Sequence, residues 1–159
     1  MTISNEWRRD DCSVQRALAI LGERWTILVL REAFFGKRRF DEILDGVGCA
    51  RNLLTDRLAT LVEHAVLERL PYRDEGQRER FEYRLTERGR ELFPILIALM
   101  QWGDRWVPAP SGPPIVVEHR DCGARVVAEL RCADGHGALT ARDTLARGKA
   151  ARRGTKRAV

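Results

Sequence analysis

Residues 40–65 read FDEILDGVGCARNLLTDRLATLVEHA, and the spacing of their apolar positions decides the fold. Phe40, Ile43, Leu44 and Val47 recur at helical intervals over a short helix, and Gly46-Val47-Gly48 then breaks the chain. From Ala50 to Ala65 a longer helix follows, with Leu54, Leu58, Leu61, Val62 and Ala65 on one stripe. Asn52, Thr55, Asp56, Ala59 and Glu63 fall toward its other side. A short helix, a tight turn and a longer helix form the outline of a helix-turn-helix.

The flanking sequence extends that outline in both directions. Upstream, Val14, Ala17, Leu18 and Leu21 share one helix face, and Gly22 is placed to end that helix in a left-handed conformation. Trp25 to Phe35 is apolar on nearly every side, as expected of a helix in the middle of a small bundle, and Gly36 closes it. Downstream the period drops to two. Phe81, Tyr83 and Leu85 alternate with Arg80, Glu82 and Arg84, which predicts a half-buried strand. Its expected partner is Val66 to Arg73, joined through Asp74-Glu75-Gly76-Gln77, with Pro71 calling for an edge position. The pair reads as a wing. Thr86 is the expected N-cap of a helix whose stripe, Leu92, Ile95, Leu96, Leu99, Trp102 and Trp106, runs for about five turns and is kinked by Pro94. So many large apolar side chains beyond a winged core predict burial against a second copy, or folding back on the same chain.

Composition bounds what this unit can be. The chain has 159 residues, 44% hydrophobic and 32% charged, the balance of one folded domain with modest appendages. The 28 Lys and Arg against 23 Asp and Glu give a net charge of +5, a sign that favours nucleic acid. The tail Thr144 to Val159 holds six of those bases and no acid, which leaves 22 basic against 23 acidic residues in the body. DNA binding by the body must therefore rest on where its charges sit. Trp25 to Leu30 is the longest apolar run, too short to span a bilayer, and Met1 to Asp11 lacks a signal-peptide pattern, so the expected location is the cytoplasm. In that reducing compartment Cys12, Cys49, Cys122 and Cys132 are read as free thiols or metal ligands. There is no phosphate loop and no nucleophile–base set, which argues against an enzyme.

Several ordered motifs carry a resemblance. Cys12-Ser-Val-Gln-Arg-Ala-Leu-Ala-Ile-Leu-Gly-Glu-Arg-Trp25, Phe34-Phe-Gly-Lys-Arg-Arg-Phe40, Leu54-Thr-Asp-Arg-Leu58 and Tyr83-Arg-Leu-Thr-Glu-Arg-Gly89 closely resemble the HxlR family of bacterial winged-helix transcription regulators. The resemblance covers residues 12 to 106. It implies a mainly α fold with a small β wing, and a homodimer, by the family tendency a repressor, that binds double-stranded DNA at inverted-repeat operators. It also implies a response to thiol-reactive or small aromatic effectors. The alternative from another class is a winged-helix module that docks proteins without reading DNA.

On the residues, Arg51, Asn52, Thr55 and Arg57 stand at the start of the fourth helix, where Arg pairs with guanine and Asn with adenine. Lys37, Arg38 and Arg39 ahead of the third helix, and Arg78 and Arg80 at the wing, suit phosphates. Three departures from the family stand out: Ala50 where a serine-like cap is usual, Ala65 in place of a turn glycine, and Asp56 facing the groove. Cys12 aligns with the family's N-terminal thiol switch, beside Arg8, Arg9 and Arg16, where a helix start and nearby cations favour thiolate; a small buried residue is the alternative. Cys49 is read as core. The expected organisation is an arm over 1–11, the winged unit and dimerisation helix over 12–106, and a Pro-rich linker over 107–114. A small appendage over 115–143 and a disordered basic tail over 144–159 follow. In the appendage His119, Cys122 and Cys132 supply three zinc-type ligands, Gly135 occupies the fourth position, and His136 stands one residue further on.

Overall fold

The structure, a computed structural model, describes residues 12–73, 76 and 78–146. The arm Met1–Asp11, the wing-tip residues Asp74, Glu75 and Gln77, and the tail from Arg147 onward lie outside the described residues. The elements run α1 (Ser13–Leu21), α2 (Arg24–Phe34), α3 (Phe40–Val47), α4 (Arg51–Glu63), β1 (Leu67–Tyr72), β2 (Arg80–Leu85), α5 (Glu87–Arg90) and α6 (Phe93–Trp106). This is a winged helix-turn-helix. Val29 and Leu30 of α2, Ile43 and Val47 of α3, Leu54, Leu58 and Leu61 of α4, and Val66 and Leu67 make one apolar core. Cys49 packs against it, as its sequence position implies. No helix among the described residues is long and apolar enough to cross a membrane.

The turn between α3 and α4 is made by Gly48, whose φ of 69° is open to glycine at little cost. Ala50 opens α4 without a side-chain cap bond, the arrangement expected from its methyl side chain. β1 and β2 pair antiparallel with Leu67 opposite Leu85 and Pro71 opposite Phe81. Arg39 adds a bridge to Glu82, and the Tyr83 N–H donates to the Arg38 carbonyl at 2.8 Å. The residues ahead of α3 thus flank β2 on the side away from β1, which keeps Pro71 on an edge. Ala65 takes a φ of 52°, the strained conformation foreseen where the family has glycine. Thr86 steadies that corner: its hydroxyl donates to the Ala65 carbonyl at 2.7 Å and accepts from the Gly89 N–H at 3.0 Å. Gly89 packs so closely that a Cβ there would lie 2.1 Å from the Val66 carbonyl oxygen.

The structure corrects two expectations. Gly22 ends α1 with a φ of −70°, not in the left-handed region; a Cβ would lie 2.5 Å from the Leu18 carbonyl oxygen, so crowding explains the glycine. Pro94 does not kink a long helix. It sits in the first turn of α6, where its missing N–H has no helical partner to lose, and the chain from Thr86 divides into α5 and α6. Leu92 therefore packs on the chain's own core.

A further unforeseen feature lies in α2, which the sequence presents as apolar on nearly every side. Glu32 is buried, and its carboxylate meets Lys37 at 2.6 Å and Arg31 at 2.5 Å. Arg31 also donates to the Gly46 carbonyl of α3 at 2.9 Å. A Cβ at Gly46 would run into the Glu32 carboxylate and the Lys37 amine. Burial alone would raise the Glu32 carboxyl, but hydrogen bonds and charge from Lys37 and Arg31 outweigh it and leave the group below the ordinary value near 4.5.

Two stability outcomes follow. A carboxyl with a lowered folded-state pKa contributes stability that is complete above pH 4.5 and is lost as pH falls through its folded value. Glu32→Gln should flatten that acid limb and cost about 2 kcal/mol at pH 7 in urea unfolding, since Arg31 and Lys37 remain partly solvated. An unchanged acid limb would contradict this reading. Gly89→Ala should cost about 2–3 kcal/mol by the same measurement, because overpacking against a backbone carbonyl exceeds the gain of about 1 kcal/mol in helix propensity.

Candidate nucleic-acid interface

The exposed side of α4 is assembled by the burial of its other side. With Leu54, Leu58 and Leu61 pinned in the core, a period of 3.6 turns Asn52, Thr55, Asp56 and Ala59 outward, and all four are exposed. The Thr55 hydroxyl donates to the Arg51 carbonyl at 3.0 Å and keeps lone pairs facing solvent. Arg51 is exposed beside them, 2.8 Å from Asp41 and with its guanidinium 4.9 Å from the Phe40 ring.

Between this helix start and the wing runs a cleft lined by Arg39, Arg51, Arg69, Arg80, Phe40, Tyr72 and Phe81, with Asp41 and Glu42 at one side. Three of the arginines lie over aromatic faces. Arg39 stands 4.7 Å from the Tyr72 ring, Arg69 3.5 Å from Phe81, and Arg51 over Phe40 as above. A guanidinium held over a ring keeps its N–H donors available to a further partner, and at Arg51 that partner is Asp41. Glu42 does not neutralise the cleft freely. Its carboxylate accepts from the backbone N–H groups of Arg39 and Arg38 at 3.0 and 3.1 Å. Those two bonds hold its carboxyl below the ordinary range and brace the start of α3.

The residues singled out from sequence are thus distributed unevenly. Arg39, Arg51, Asn52, Thr55 and Arg80 come together on one side of the molecule, while Arg38 and Arg78 are exposed nearby at the start of α3 and at the wing. Lys37 turns toward Glu32, 2.6 Å away. Arg57 is not brought to this face: it is half-buried and directed at Glu23, 4.0 Å away. Sequence reasoning missed Arg69, Tyr72 and the stacking role of Phe40. For Arg69 the signal was present in the pairing of Arg69 with Tyr83 and of Pro71 with Phe81, which shares one sheet face between arginine and aromatics; Tyr72 belongs to the alternate register, opposite Arg80.

The other candidate sites fall elsewhere. Cys12 is half-buried at the N-cap of α1. His119 Nδ1 lies 3.3 Å from Cys122 Sγ, and Cys132 Sγ lies 3.2 Å from His136 Nδ1. These are two separate pairs, each closed within its own tight turn, and among the described residues no three His, Cys, Asp or Glu side chains converge as a metal site would require. Of the apolar stripe, Ile95, Leu99, Trp102 and Trp106 are exposed on α6, whereas Leu92 and Leu96 are turned partly inward.

Comparison with known proteins places this geometry. A family model described as HxlR-like helix-turn-helix matches residues 20–111. The uncharacterized HTH-type transcriptional regulator Rv3095 of Mycobacterium tuberculosis is 49% identical over 131 residues, 82% of each chain. Among solved structures, PA1607, a transcription-factor candidate, is 39% identical with a TM-score of 0.77, over 89% of this chain and 97% of that one. The redox regulator HypR in its reduced form is 29% identical with a TM-score of 0.54, over 60% of this chain and 96% of that one.

Whether the exposed α4 residues read bases and the cleft arginines hold phosphates is tested by fluorescence anisotropy on selected and random duplexes. Asn52→Ala should narrow discrimination between them by about 1–3 kcal/mol. Arg69→Ala should weaken both and reduce the salt slope by about one. Arg57→Ala should do neither, and a loss equal to that of Arg69→Ala would place the interface on another face.

Proposed function

The chain belongs to the HxlR-like helix-turn-helix family of transcriptional regulators, and on that premise we propose that it acts as a homodimeric repressor reading an inverted-repeat operator. The observation that carries this reading is the exposed Arg51–Asn52–Thr55 face of α4 beside the arginine and aromatic cleft of the wing. α4 enters the major groove, where Arg51 and Asn52 meet base edges, and Arg39, Arg69 and Arg80 hold the flanking phosphates. Asp56, on the same face, accepts from cytosine and repels misplaced phosphate.

The dimer is supported by apolar surface that the single chain leaves open. α1 has no buried residue, and its Val14 and Leu18 are 66% and 57% exposed. On α6, Trp102 and Trp106 are 58% and 63% exposed. Two such helices from each protomer, paired about a twofold axis, cover one another and set two α4 helices about one turn of DNA apart. Cys12 then lies where α1 begins, so its modification by an electrophile or oxidant would disturb the dimer and with it the spacing of the two reading helices. The likeness to a redox regulator supports that response.

Selection of duplexes by the purified protein should return an inverted repeat, and affinity for it should fall steeply with salt. No binding of any duplex at low salt would leave the protein-docking module as the function. Deleting Thr144 to Val159 should reduce affinity for every duplex and the salt slope while preserving discrimination, because the tail supplies charge without base contacts. A thiol oxidant should weaken operator binding by the wild type and not by Cys12→Ser; equal loss in both would remove Cys12 from the response.

A further inference from the structure

α6 has three faces with different neighbours. Leu96, Met100 and Gly103 face Ile27 and Leu28 of α2 across a shallow groove that Leu99 borders. Ile95, Leu99, Trp102 and Trp106 are open to solvent. The third face carries Gln101, whose side-chain amide donates to the Val126 carbonyl at 2.7 Å and whose oxygen accepts from the Ala128 N–H at 3.0 Å. One carboxamide thereby docks the segment after the proline linker along the helix. Between the two lies a cleft of about 710 Å³, walled by Phe93, Ile97 and Ala98 on α6 and by Val126, Leu130 and Leu139 on the docked segment. We propose that this cleft binds one small, uncharged, apolar molecule, and that its occupancy tunes DNA binding.

The chemistry of the walls selects the ligand. Glu129 is the lone ionisable lining residue among those described, and its carboxylate is already bonded to Arg131 at 3.1 Å. A charged molecule would surrender hydration there with no counter-charge to replace it. The volume falls in the range of small-molecule sites, and Ala98 and Ala128 keep the walls apart. Ala138, also in the lining, is held at a φ of 53°, a conformation unfavourable to alanine that the surrounding structure sustains. Ile95 lies at the border and belongs to both, but the rest of the α6 lining is set roughly a third of a turn from Leu99, Trp102 and Trp106, so a second copy seated on those three would rim the cleft and not fill it.

The floor of the cleft reaches the DNA-binding unit. The Phe93 ring packs against Phe34 at the end of α2, with centroids 5.3 Å apart. Two residues earlier, Glu32 holds Arg31 and Lys37, and Arg31 in turn ties α2 to the Gly46 carbonyl of α3. A molecule pressing on Phe93 therefore acts on the helix that positions α3 and α4. The regulatory half of the proposal rests on the repressor reading; the binding half does not.

The test uses the full chain and the neutral fluorophore N-phenyl-1-naphthylamine. Its emission should rise with saturation at one probe per chain. Ala98→Trp, which fills the cleft, should weaken that binding at least tenfold while leaving duplex affinity without probe unchanged. Ala128→Trp, from the opposite wall, serves the same purpose should the first variant fold poorly. Leu99→Asp on the open stripe should leave probe binding unaltered. At saturation the probe should lower duplex affinity at least threefold in the wild type and not in Ala98→Trp. Probe binding that survives both cleft substitutions, or that disappears in Leu99→Asp, would overturn the site. Saturable binding with no change in duplex affinity would overturn the regulatory coupling, and failure to bind duplex without probe would count against the repressor reading alone.

Discussion

A carboxylate taken out of water inside a small helical core is an unfavourable start, and the winged unit is arranged to compensate for it. Glu32 carries two cations within hydrogen-bonding distance, one of which also holds the carbonyl of Gly46. The cluster ties the C-terminal part of α2 to the last turn of α3 and dictates that residue 46 has no side chain. Because Arg31 and Lys37 lie near the surface, their charge is only partly desolvated, which is why the arrangement is tolerable in a core this size. The angle at which α3 leaves α2 determines where the Gly48 turn delivers α4. The placement of the exposed face of α4 thus depends on an ion cluster outside that face.

That dependence explains what the sequence made legible and what it did not. Leu54, Leu58 and Leu61 share a helical stripe that only one burial direction satisfies, so α4 and its outward residues were readable. The alternation through Phe81, Tyr83 and Leu85 fixed the wing, and its partner emerged as Leu67–Tyr72. The family resemblance was visible for the same reason: its motifs are the residues that make these turns. Arg57 was misplaced because it borders the buried stripe, where a shift of one helical position separates groove from core. The Lys37–Glu32 pair was not legible because its acid lies five residues upstream in a helix read as apolar on nearly every side.

Pro94 shows a different limit. Its effect depends on whether a helix is already under way when it is reached, and that was decided by Gly89, drawn against the Val66 carbonyl by packing that no local pattern reports. The division of α6 into three faces was likewise hidden, since Gln101 looks like any surface glutamine until the segment after the linker is laid beside it.

The stacked arginines of the wing cleft have a further consequence. Arginine side chains usually surrender rotamer freedom when they grip a phosphate. Here Arg39, Arg51 and Arg69 are already held over Tyr72, Phe40 and Phe81, so much of that ordering is complete before the partner arrives. Arg51 is moreover engaged by Asp41, which an incoming nucleic-acid group must displace. At Arg51 an anion entering the cleft would therefore exchange with Asp41, so the same pair that holds the guanidinium in place also competes for it.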